Sequence, residues 1–426
     1  MKIVSLSTFD TQGGAARATY RLHQGLNEIS VDSWILSKLK YSQDPKVIGA
    51  NPTSGIEQVK IGSRLTLDQV PLKRYKKRGK QLFSPNWLPY KIIPQVNQLN
   101  PDIINLHWLG SGYIQIETLA KFNQPLVWTL HDMWSFTGGC HYNQECTRFT
   151  MSCGACPQLG SSKEKDLSRQ IWQRKYKAWQ DLNLTIVTPS RWLADTAKAS
   201  KLFNNQKIEV IPYGLDINTF RPIDRTTARK LLKLPTDKQL VLFLSLSATS
   251  DRRKGFHLLQ PALQQLSQTA WQSELELMVV GASEPENPPE LGFKSHYLGI
   301  LNDDMTLALA YSAADVFVAP SIQDNLPNTV LEAIACGTPC VSFDIGGMPD
   351  MIEHQQNGYL SQPYKIDDLA EGISWTLIDR ARTQKLSARA RKKAEQEFAL
   401  LIQARRYQQL YQSILAANNG STPTTK

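Results

Sequence analysis

Two carboxylates, Asp324 and Glu332, are the residues of this 426-residue chain whose types and spacing first suggest chemistry. Asp324 follows the apolar run 316–319, and Glu332 lies in a segment that can begin a helix at Pro327. At about 1.5 Å per residue, Glu332 would lie about 7.5 Å along the helix axis from Pro327, so the carboxylates can contact different parts of one extended ligand. Helix N–H groups favour an anion, and carboxylates accept hydrogen bonds from hydroxyl groups, which together suit a sugar nucleotide. The alternative is a capping aspartate beside an ordinary helix-surface glutamate.

Cations and glycines also follow predicted strands. Arg253 and Lys254 come after the apolar run 240–244, and an arginine fork with a lysine point charge can neutralise a leaving diphosphate. The alternative is that these cations simply lie at the N-terminus of a helix and bind no ligand. Gly13 and Gly14 follow the first apolar run and open a helix, where glycine lets a ligand approach the backbone. Their pattern is not that of a nicotinamide-binding loop.

The elements that must position these residues follow from the hydrophobic pattern. Short β-rich runs alternate with longer amphipathic segments, which predicts an α/β protein with parallel sheets covered by helices. Single cores stop growing at about 250 to 300 residues, so we expect two domains. We place an N-terminal domain at 1–211, a linker at 212–222, a C-terminal domain at 223–395 and, at 396–426, a helix that packs back on the N-terminal domain with a disordered tail. The expected strands are 2–7, 103–106, 126–130, 185–188, 208–211, 240–244, 275–280, 316–319 and 339–343.

The stretch from Pro320 to Leu360 resembles the donor-site region of family 4 glycosyltransferases, which are retaining enzymes of the GT-B fold. The resemblance implies two Rossmann-like, doubly wound parallel-sheet domains that face a cleft. The family's two glutamates are separated by seven residues, and Asp324 and Glu332 occupy these positions. By resemblance, Glu332 binds the ribose, Asp324 is a catalytic residue beside the donor sugar, and Asn325 and Leu326 line the donor site. Asp324 is one methylene shorter than the family's glutamate, and Asn325-Leu-Pro replaces a glycine-containing turn.

The resemblance extends to the first half of the chain. His131 occupies a catalytic position whose imidazole contacts the donor sugar, and His107 falls at a less specific cleft position. A buried histidine with satisfied hydrogen bonds is the alternative for both. Ser190, Arg191 and Tyr213 match family positions near the cleft or hinge.

The mechanism that the resemblance implies is a reaction on one face of the sugar, in which the leaving phosphate helps to deprotonate the acceptor. Lys254 matches the family's lysine, while Arg252 or Arg253 takes the place of an arginine that normally follows the strand. The sequence has no Asp-x-Asp pair in a suitable loop, so we expect no cofactor to be required for catalysis.

Four cysteines crowd into one insertion at 140–156, directly after the His131 loop. Cys140, Cys146, Cys153 and Cys156 include one Cys-x-x-Cys pair, which is typical of a structural zinc site. Reduced cysteines that simply pack the loop are the alternative, because the other spacings are irregular. The insertion resembles a subset of family 4 enzymes from bacterial exopolysaccharide pathways, where it would shape the acceptor site.

Charge is concentrated in the first half, where residues 1–211 hold 27 Lys and Arg against 15 Asp and Glu. The densest run is 73–80, followed by the apolar and aromatic residues Leu82, Phe83, Trp87 and Tyr90, which suits the surface of an anionic membrane. A solvated loop is the alternative. Zinc-finger, homeodomain and RNA-recognition signatures are missing from the sequence, so we expect no nucleic-acid partner.

The expected localisation depends on whether the sequence contains a signal peptide or a membrane-spanning segment. No signal-peptide pattern and no run of about 18 apolar residues occurs in the sequence. We therefore expect a cytoplasmic protein, peripheral at the inner face of a membrane.

The function expected from these features is transfer of a sugar, with retention, from a UDP- or GDP-sugar to a glycan or lipid-linked acceptor in polysaccharide biosynthesis. The alternatives are a non-catalytic protein that binds sugar nucleotides or glycans, and a GT-B epimerase. A phosphorylase of this architecture would need a lysine that anchors pyridoxal phosphate, and we can place none.

Overall fold

The computed structural model describes residues 1–51, 55–244, 251–281, 283–284 and 286–420, with side chains of 55–61 and 419–420 left undescribed. The chain divides into an N-terminal unit, Met1–Gly214 with Leu401–Lys426, and a C-terminal unit, Leu215–Leu400. The boundary after Gly214 lies inside the predicted linker 212–222, and the chain returns to the N-terminal unit at Leu401 rather than at 396.

The N-terminal unit contains, among the described residues, a seven-stranded parallel sheet in the order β3-β2-β1-β4-β5-β6-β7. Its strands carry apolar residues on both faces, as a parallel sheet covered by helices requires. The strands are β1 Lys2–Phe9, β2 Asp32–Leu39, β3 Val47–Ala50, β4 Ile103–Leu106, β5 Leu126–Thr129, β6 Leu184–Thr188 and β7 Lys207–Val210. The helices are α1 Gly14–Glu28, α2 Gly55–Asp68, α3 Ile93–Leu99, α4 Leu167–Trp179 and α5 Arg191–Ala199.

The C-terminal unit repeats this architecture with a six-stranded parallel sheet in the order β10-β9-β8-β11-β12-β13. Its strands are β8 Gln239–Leu244, β9 Leu275–Val280, β10 Ser295–Tyr297, β11 Val316–Ala319, β12 Cys340–Phe343 and β13 Gly358–Ser361. Its helices are α6 Arg225–Leu231, α7 Phe256–Ser267, α8 Asp304–Ala313, α9 Asn328–Ala335, α10 Met348–Met351, α11 Ile366–Leu377 and α12 Arg380–Glu397. The expectation of two Rossmann-like units is confirmed.

The last helix, α13 (Leu400–Gly420), packs on the sheet of the N-terminal unit. Tyr411 Oη accepts a hydrogen bond of 2.8 Å from Asn105 Nδ2 in β4, and the hydroxyls of Tyr407 and Thr129 lie 2.9 Å apart. Asn105 and Thr129 are buried, so these two bonds satisfy polar groups that would otherwise be costly inside the core. The helix continues to Gly420, and the rest of the predicted disordered tail lies outside the described residues.

Each sheet changes winding direction at one place, between β1 and β4 in the N-terminal unit and between β8 and β11 in the C-terminal unit. Open α/β sheets bind ligands outside the carboxyl ends of the strands at such a switch point. Within the described residues, no helix is both long and apolar enough to cross a bilayer.

Candidate functional site

The switch point of the C-terminal unit brings Asp324 together with Arg253 and Lys254. The two cations lie on a 3₁₀ turn in the loop after β8, and Asp324 lies in the loop after the neighbouring strand β11. Lys254 Nζ is 2.8 Å and Arg253 Nη1 is 3.1 Å from Asp324 Oδ2. Burial would raise the pKa of Asp324, but the positive charges of Lys254 and Arg253 hold it well below its ordinary value. The carboxylate is therefore ionised and fixes both cations at the end of the sheet.

Arg253, and not Arg252, is the arginine that faces Asp324. Arg253 also donates to the carbonyl oxygen of Gln323 at 3.0 Å and lies 3.3 Å from the carboxylate of Asp251. Asp251 in turn caps the turn by accepting from the Arg253 N–H. Arg252 is exposed, so of the two arginines left open by the sequence, Arg253 has the position for a phosphate contact.

Two glycines let the backbone of the Asp324 loop fit between neighbouring turns. Gly255 has φ +74°, and a Cβ there would lie 1.7 Å from the carbonyl oxygen of Pro320. Gly346 has φ +54°, and a Cβ there would lie 2.0 Å from the carbonyl oxygen of Asp324. Only glycine tolerates both the left-handed backbone and these close approaches. Gly346 was missed by the sequence reasoning, although its place in a Gly-Gly pair after β12 was a usable signal.

The sequence left open that Glu332 is an ordinary glutamate on the helix surface, but the structure places it elsewhere. Pro327 is the N-cap of α9 and makes no side-chain cap. Glu332 lies in the fifth position of α9, is only 2% exposed, and accepts a hydrogen bond of 3.0 Å from Tyr311 Oη. Glu332 is therefore not a helix-surface glutamate, and that part of the alternative is wrong. Asn325 and Leu326 are also buried.

The switch point of the N-terminal unit places Gly13 and Gly14 at the start of α1. Gly13 is the N-cap with φ +90°, and a Cβ there would meet no atom within 4 Å, so the space beside it is open. The buried carboxylate of Asp10 holds this loop by accepting from the N–H groups of Thr11 at 2.9 Å and Ser42 at 2.8 Å. Asp10 was missed by the sequence reasoning, which noted only the glycines.

His131 and His107, which follow β5 and β4, lie together in a buried chain with Tyr213. His131 Nε2 is 3.0 Å from His107 Nδ1, and His131 Nδ1 is 2.6 Å from Tyr213 Oη. Burial lowers the pKa of His131 to about 4 and lowers that of His107 well below its ordinary value. Both rings are therefore neutral at pH 7, and both ring nitrogens of His131 have partners inside this unit.

The other residues expected near the cleft lie around β6 and α5. Ser190 is buried and caps α5, because its Oγ accepts a hydrogen bond of 3.1 Å from Leu193 N–H. Arg191, the first residue of α5, is exposed.

A second buried chain links the cysteine insertion to the His131 loop. His141 Nδ1 is 2.6 Å from Asp132 Oδ2, and His141 Nε2 is 2.8 Å from Ser84 Oγ. The order Ser–His–Asp matches that of a hydrolase triad, but Ser84 is 0% exposed, so no substrate can reach its hydroxyl. The chain instead ties the loop of Cys140 to the loop of His131, and the sequence reasoning missed it.

The four cysteines of the insertion line a single small cavity, and all four are free thiols. As the side chains stand, the described part of the chain contains no group of three or more His, Cys, Asp or Glu residues arranged to hold a metal ion. The zinc expectation therefore remains a prediction.

Two family models match almost the whole chain. Residues 224–395 match the model described as glycosyl transferases group 1, and residues 12–219 match the model described as glycosyltransferase family 4. With two Rossmann-like units, these matches define the chain as a glycosyltransferase of the GT-B fold class. The chain belongs to the family 4 glycosyltransferases.

Curated relatives include D-inositol 3-phosphate glycosyltransferases of two organisms. The protein of Geodermatophilus obscurus is 32% identical over 306 residues, which cover 69% of this chain and 62% of that protein. The protein of Xylanimonas cellulosilytica is 27% identical over 306 residues, which cover 68% of this chain and 67% of that protein. The similarity thus spans about two thirds, or slightly less, of these relatives' own length.

Solved structures share the fold. Sucrose-phosphate synthase from Thermosynechococcus elongatus superposes with a TM-score of 0.69 at 20% identity, covering 98% of this chain and 100% of that chain. Anabaena HepE, solved with UDP and glucose, has a TM-score of 0.63 at 17% identity and covers 97% of this chain and 100% of that chain. At these identities the similarity establishes the architecture alone.

Proposed function

We propose that this chain transfers a sugar, with retention of configuration, from a UDP- or GDP-sugar to a glycan or lipid-linked acceptor in polysaccharide biosynthesis. The observation that carries the proposal is the cation pair Arg253 and Lys254, held by Asp324 at the switch point of the C-terminal unit. Membership of a glycosyltransferase family supports the reaction class.

The cation pair suits a leaving diphosphate because its geometry is set before any ligand binds. Ordering a free Lys or Arg side chain costs about 1.5 to 2 kcal/mol, and the ion pairs with Asp324 have already met much of that cost. Preorganised charge at the atom where negative charge develops lowers the barrier to bond cleavage. Arg253 would contact the diphosphate with its fork and Lys254 with its ammonium group.

The remaining donor contacts are assigned by the resemblance. Glu332 would accept hydrogen bonds from the ribose hydroxyls, with Tyr311 holding its carboxylate in orientation. Asp324 would lie beside the donor sugar, together with Asn325 and Leu326. No metal or other cofactor has a role in this assignment.

In the N-terminal unit, the resemblance points to Gly13, Gly14 and His131 as ligand contacts. The open space beside Gly13 admits a ligand to the start of α1, where N–H groups favour an anion. His131 would act as a neutral hydrogen-bonding group, because burial keeps its pKa near 4. A sugar hydroxyl that bonds its ring would have to replace Tyr213 or His107, since both ring nitrogens are engaged.

Peripheral membrane contact is a second part of the proposal. The basic segment, defined as residues 73–80, exposes Lys73, Arg74, Lys76, Lys77 and Lys80. Leu82 and Trp87 beside it are 50% and 38% exposed, whereas Phe83 is 2% exposed and therefore packs inward, contrary to its predicted place on the surface. Cations beside exposed apolar side chains favour an anionic bilayer.

The test is a comparison of donor binding and donor turnover across UDP- and GDP-sugars. A sugar nucleotide at about 100 times its dissociation constant should stabilise the protein by about 2.7 kcal/mol, visible as a thermal shift. Turnover should follow in the presence of a lipid-linked or glycan acceptor. Binding without turnover for any acceptor would favour the non-catalytic alternative, isomerisation of the donor would favour the epimerase, and no shift with any donor would refute the proposal.

A matched pair of variants locates the site. Lys254→Met should weaken donor binding by about 10- to 100-fold, because a hydrogen bond to a charged group contributes about 1.5 to 3 kcal/mol. Arg252→Met removes an exposed cation two residues away and should change donor binding less than about threefold. Equal effects of the two variants would contradict the assignment.

A further inference from the structure

The cysteine loop, defined as residues 140–156, borders a small pocket with room for one small ion. All four of its cysteines line this cavity of about 20 Å³ together with Phe149 and Ser168. A cavity needs about 10 to 15 Å³ to hold one water molecule, so this space admits a single small atom and no side chain.

The backbone of the Cys-x-x-Cys pair is strained in a way that sets both thiols beside this cavity. Cys153, Gly154 and Ala155 have φ values of +52°, +105° and +41°, so two non-glycine residues adopt the left-handed region. Each such residue costs on the order of 1 to 3 kcal/mol and persists only where the surroundings require it. A Cβ on Gly154 would lie 2.4 Å from the carbonyl oxygen of Glu164, which shows how tightly the turn is held.

A hydrogen-bond donor points at the sulfur atom of Cys153. Gly138 N–H donates to Cys153 Sγ with an N–S distance of 3.1 Å. The Leu159 N–H donates to the carbonyl oxygen of Cys156 at 3.1 Å and holds the turn that follows Cys156. Donors aimed at sulfur stabilise a thiolate, which is the form that binds metal.

Lys175 is a fully buried lysine beside the cysteine loop. It is 0% exposed, donates to the carbonyl oxygens of Trp134 and Thr137, and lies 3.8 Å from the centre of the Trp134 ring. Among the described residues it forms no ion pair with a carboxylate, and the thiols of Cys153 and Cys140 lie near its ammonium group. Lysine is almost never fully buried without a partner, and four thiolates around a divalent ion carry an excess of negative charge.

We propose that Cys140, Cys146, Cys153 and Cys156 bind one Zn²⁺ in a tetrahedral structural site, with Lys175 as its buried counter-charge. Zn–S bonds of about 2.3 Å require the sulfur atoms to lie about 3.8 Å apart. Because the thiols as they stand form no such group, binding requires them to turn toward the shared cavity, a rotation between ordinary side-chain rotamers.

The site would stabilise the loop that carries His131. His141 follows Cys140 in the chain, and its hydrogen bond of 2.6 Å with Asp132 joins the cysteine loop to the residue after His131. A bound ion would hold this pair in place, and the link to catalysis rests on the proposed function.

Metal content tests the site without any assay of sugar transfer. The full chain, purified without added zinc and dialysed against metal-free buffer, should retain about one zinc ion per chain. Replacement by Co²⁺ should give the visible bands of a tetrahedral thiolate complex. The proposal would be overturned if folded wild-type protein held less than about one tenth of an equivalent of zinc and its four thiols reacted with a thiol-modifying reagent.

Variants separate a built site from adventitious zinc. Cys146→Ser removes a partly exposed thiol and should lower the zinc content at least about fivefold. Cys340→Ala is the matched control, because Cys340 is a buried thiol in β12 outside the loop, and it should keep full zinc. Lys175→Met should speed zinc release to a chelator several-fold. Equal zinc in the Cys146→Ser and Cys340→Ala proteins would contradict the assignment, whatever the result for donor turnover.

Discussion

Replacing Asp324 by asparagine removes the carboxylate that Arg253 and Lys254 share while keeping the size of the side chain. Asp324 is 6% exposed, and the two cations lie at 3.1 and 2.8 Å. Each hydrogen bond to a charged group contributes about 1.5 to 3 kcal/mol. The cation side chains are 25% and 29% exposed and recover part of their hydration, so we expect a total loss near the low end, about 2 to 3 kcal/mol.

The pH dependence of this loss has a definite sign. The pKa of Asp324 is depressed in the folded protein, so its stabilisation is complete above the unfolded value of about 3.9 and declines as the pH falls below that value. The stability difference between wild type and Asp324→Asn should therefore be constant from about pH 5 to 8 and shrink in stronger acid.

The assay is urea unfolding at several pH values, with hydrogen exchange of the loops after β8 and β11 to localise the effect. Asp344→Asn is the control, because Asp344 is exposed and follows β12 in the same unit, and it should change stability by less than about 0.5 kcal/mol. The same Asp324→Asn protein should lose donor turnover at least about 100-fold. An Asp324→Asn protein as stable and as active as wild type would refute the assignment of this carboxylate.

Three further predictions concern other parts of the molecule. In thermal unfolding, Gly346→Ala should destabilise the C-terminal unit by at least about 2 kcal/mol more than Gly299→Ala. Gly299 is the control, because it has a similar φ of +68° but open space around it. Equal losses of stability would contradict the close approach of Gly346 to the carbonyl oxygen of Asp324. Wild-type protein should lose about 3 kcal/mol of stability in its N-terminal unit between pH 7 and pH 4, because a histidine whose folded pKa is lowered to about 4 stabilises the fold fully above its unfolded pKa and loses this contribution in acid. His131→Gln should abolish this loss, and an unchanged pH profile in the variant would contradict the buried neutral ring. Reversing the charges of Lys76 and Lys77 to glutamate should weaken sedimentation with anionic vesicles at least about tenfold, whereas the same change at the exposed Lys163 and Lys165 should not; equal binding by both proteins would argue for a solvated loop.

The strands that sequence reasoning found are short segments rich in apolar residues, although some, such as β1 and β4, also contain a serine or an asparagine. β2 was missed because Ser33, Ser37 and Lys38 interrupt its pattern, although the structure buries all three. Lys38 is tolerated there because its ammonium group donates to the carbonyl oxygen of Ser111, 73 residues away. Such a partner leaves no trace in the local pattern.

The candidate site, too, could be predicted from the sequence only in part. The positions of Asp324, Arg253 and Lys254 after strands could be read from the sequence, because parallel strands carry ligand-binding loops at their carboxyl ends. That Asp324 pairs with both cations, or that Gly346 must admit the carbonyl oxygen of Asp324, depends on loops brought together from distant parts of the chain. The contact of His131 with Tyr213, 82 residues apart, is of the same kind.

Donor turnover by the purified chain tests the central claim most directly. Wild-type protein should convert one UDP- or GDP-sugar in the presence of a lipid-linked or glycan acceptor, and the product should keep the anomeric configuration of the donor. Lys254→Met should lower kcat/KM at least tenfold, in line with about 1.5 kcal/mol or more of lost phosphate stabilisation, while Arg252→Met leaves it nearly unchanged. Inverted product, or a Lys254→Met protein as active as wild type, would contradict the account.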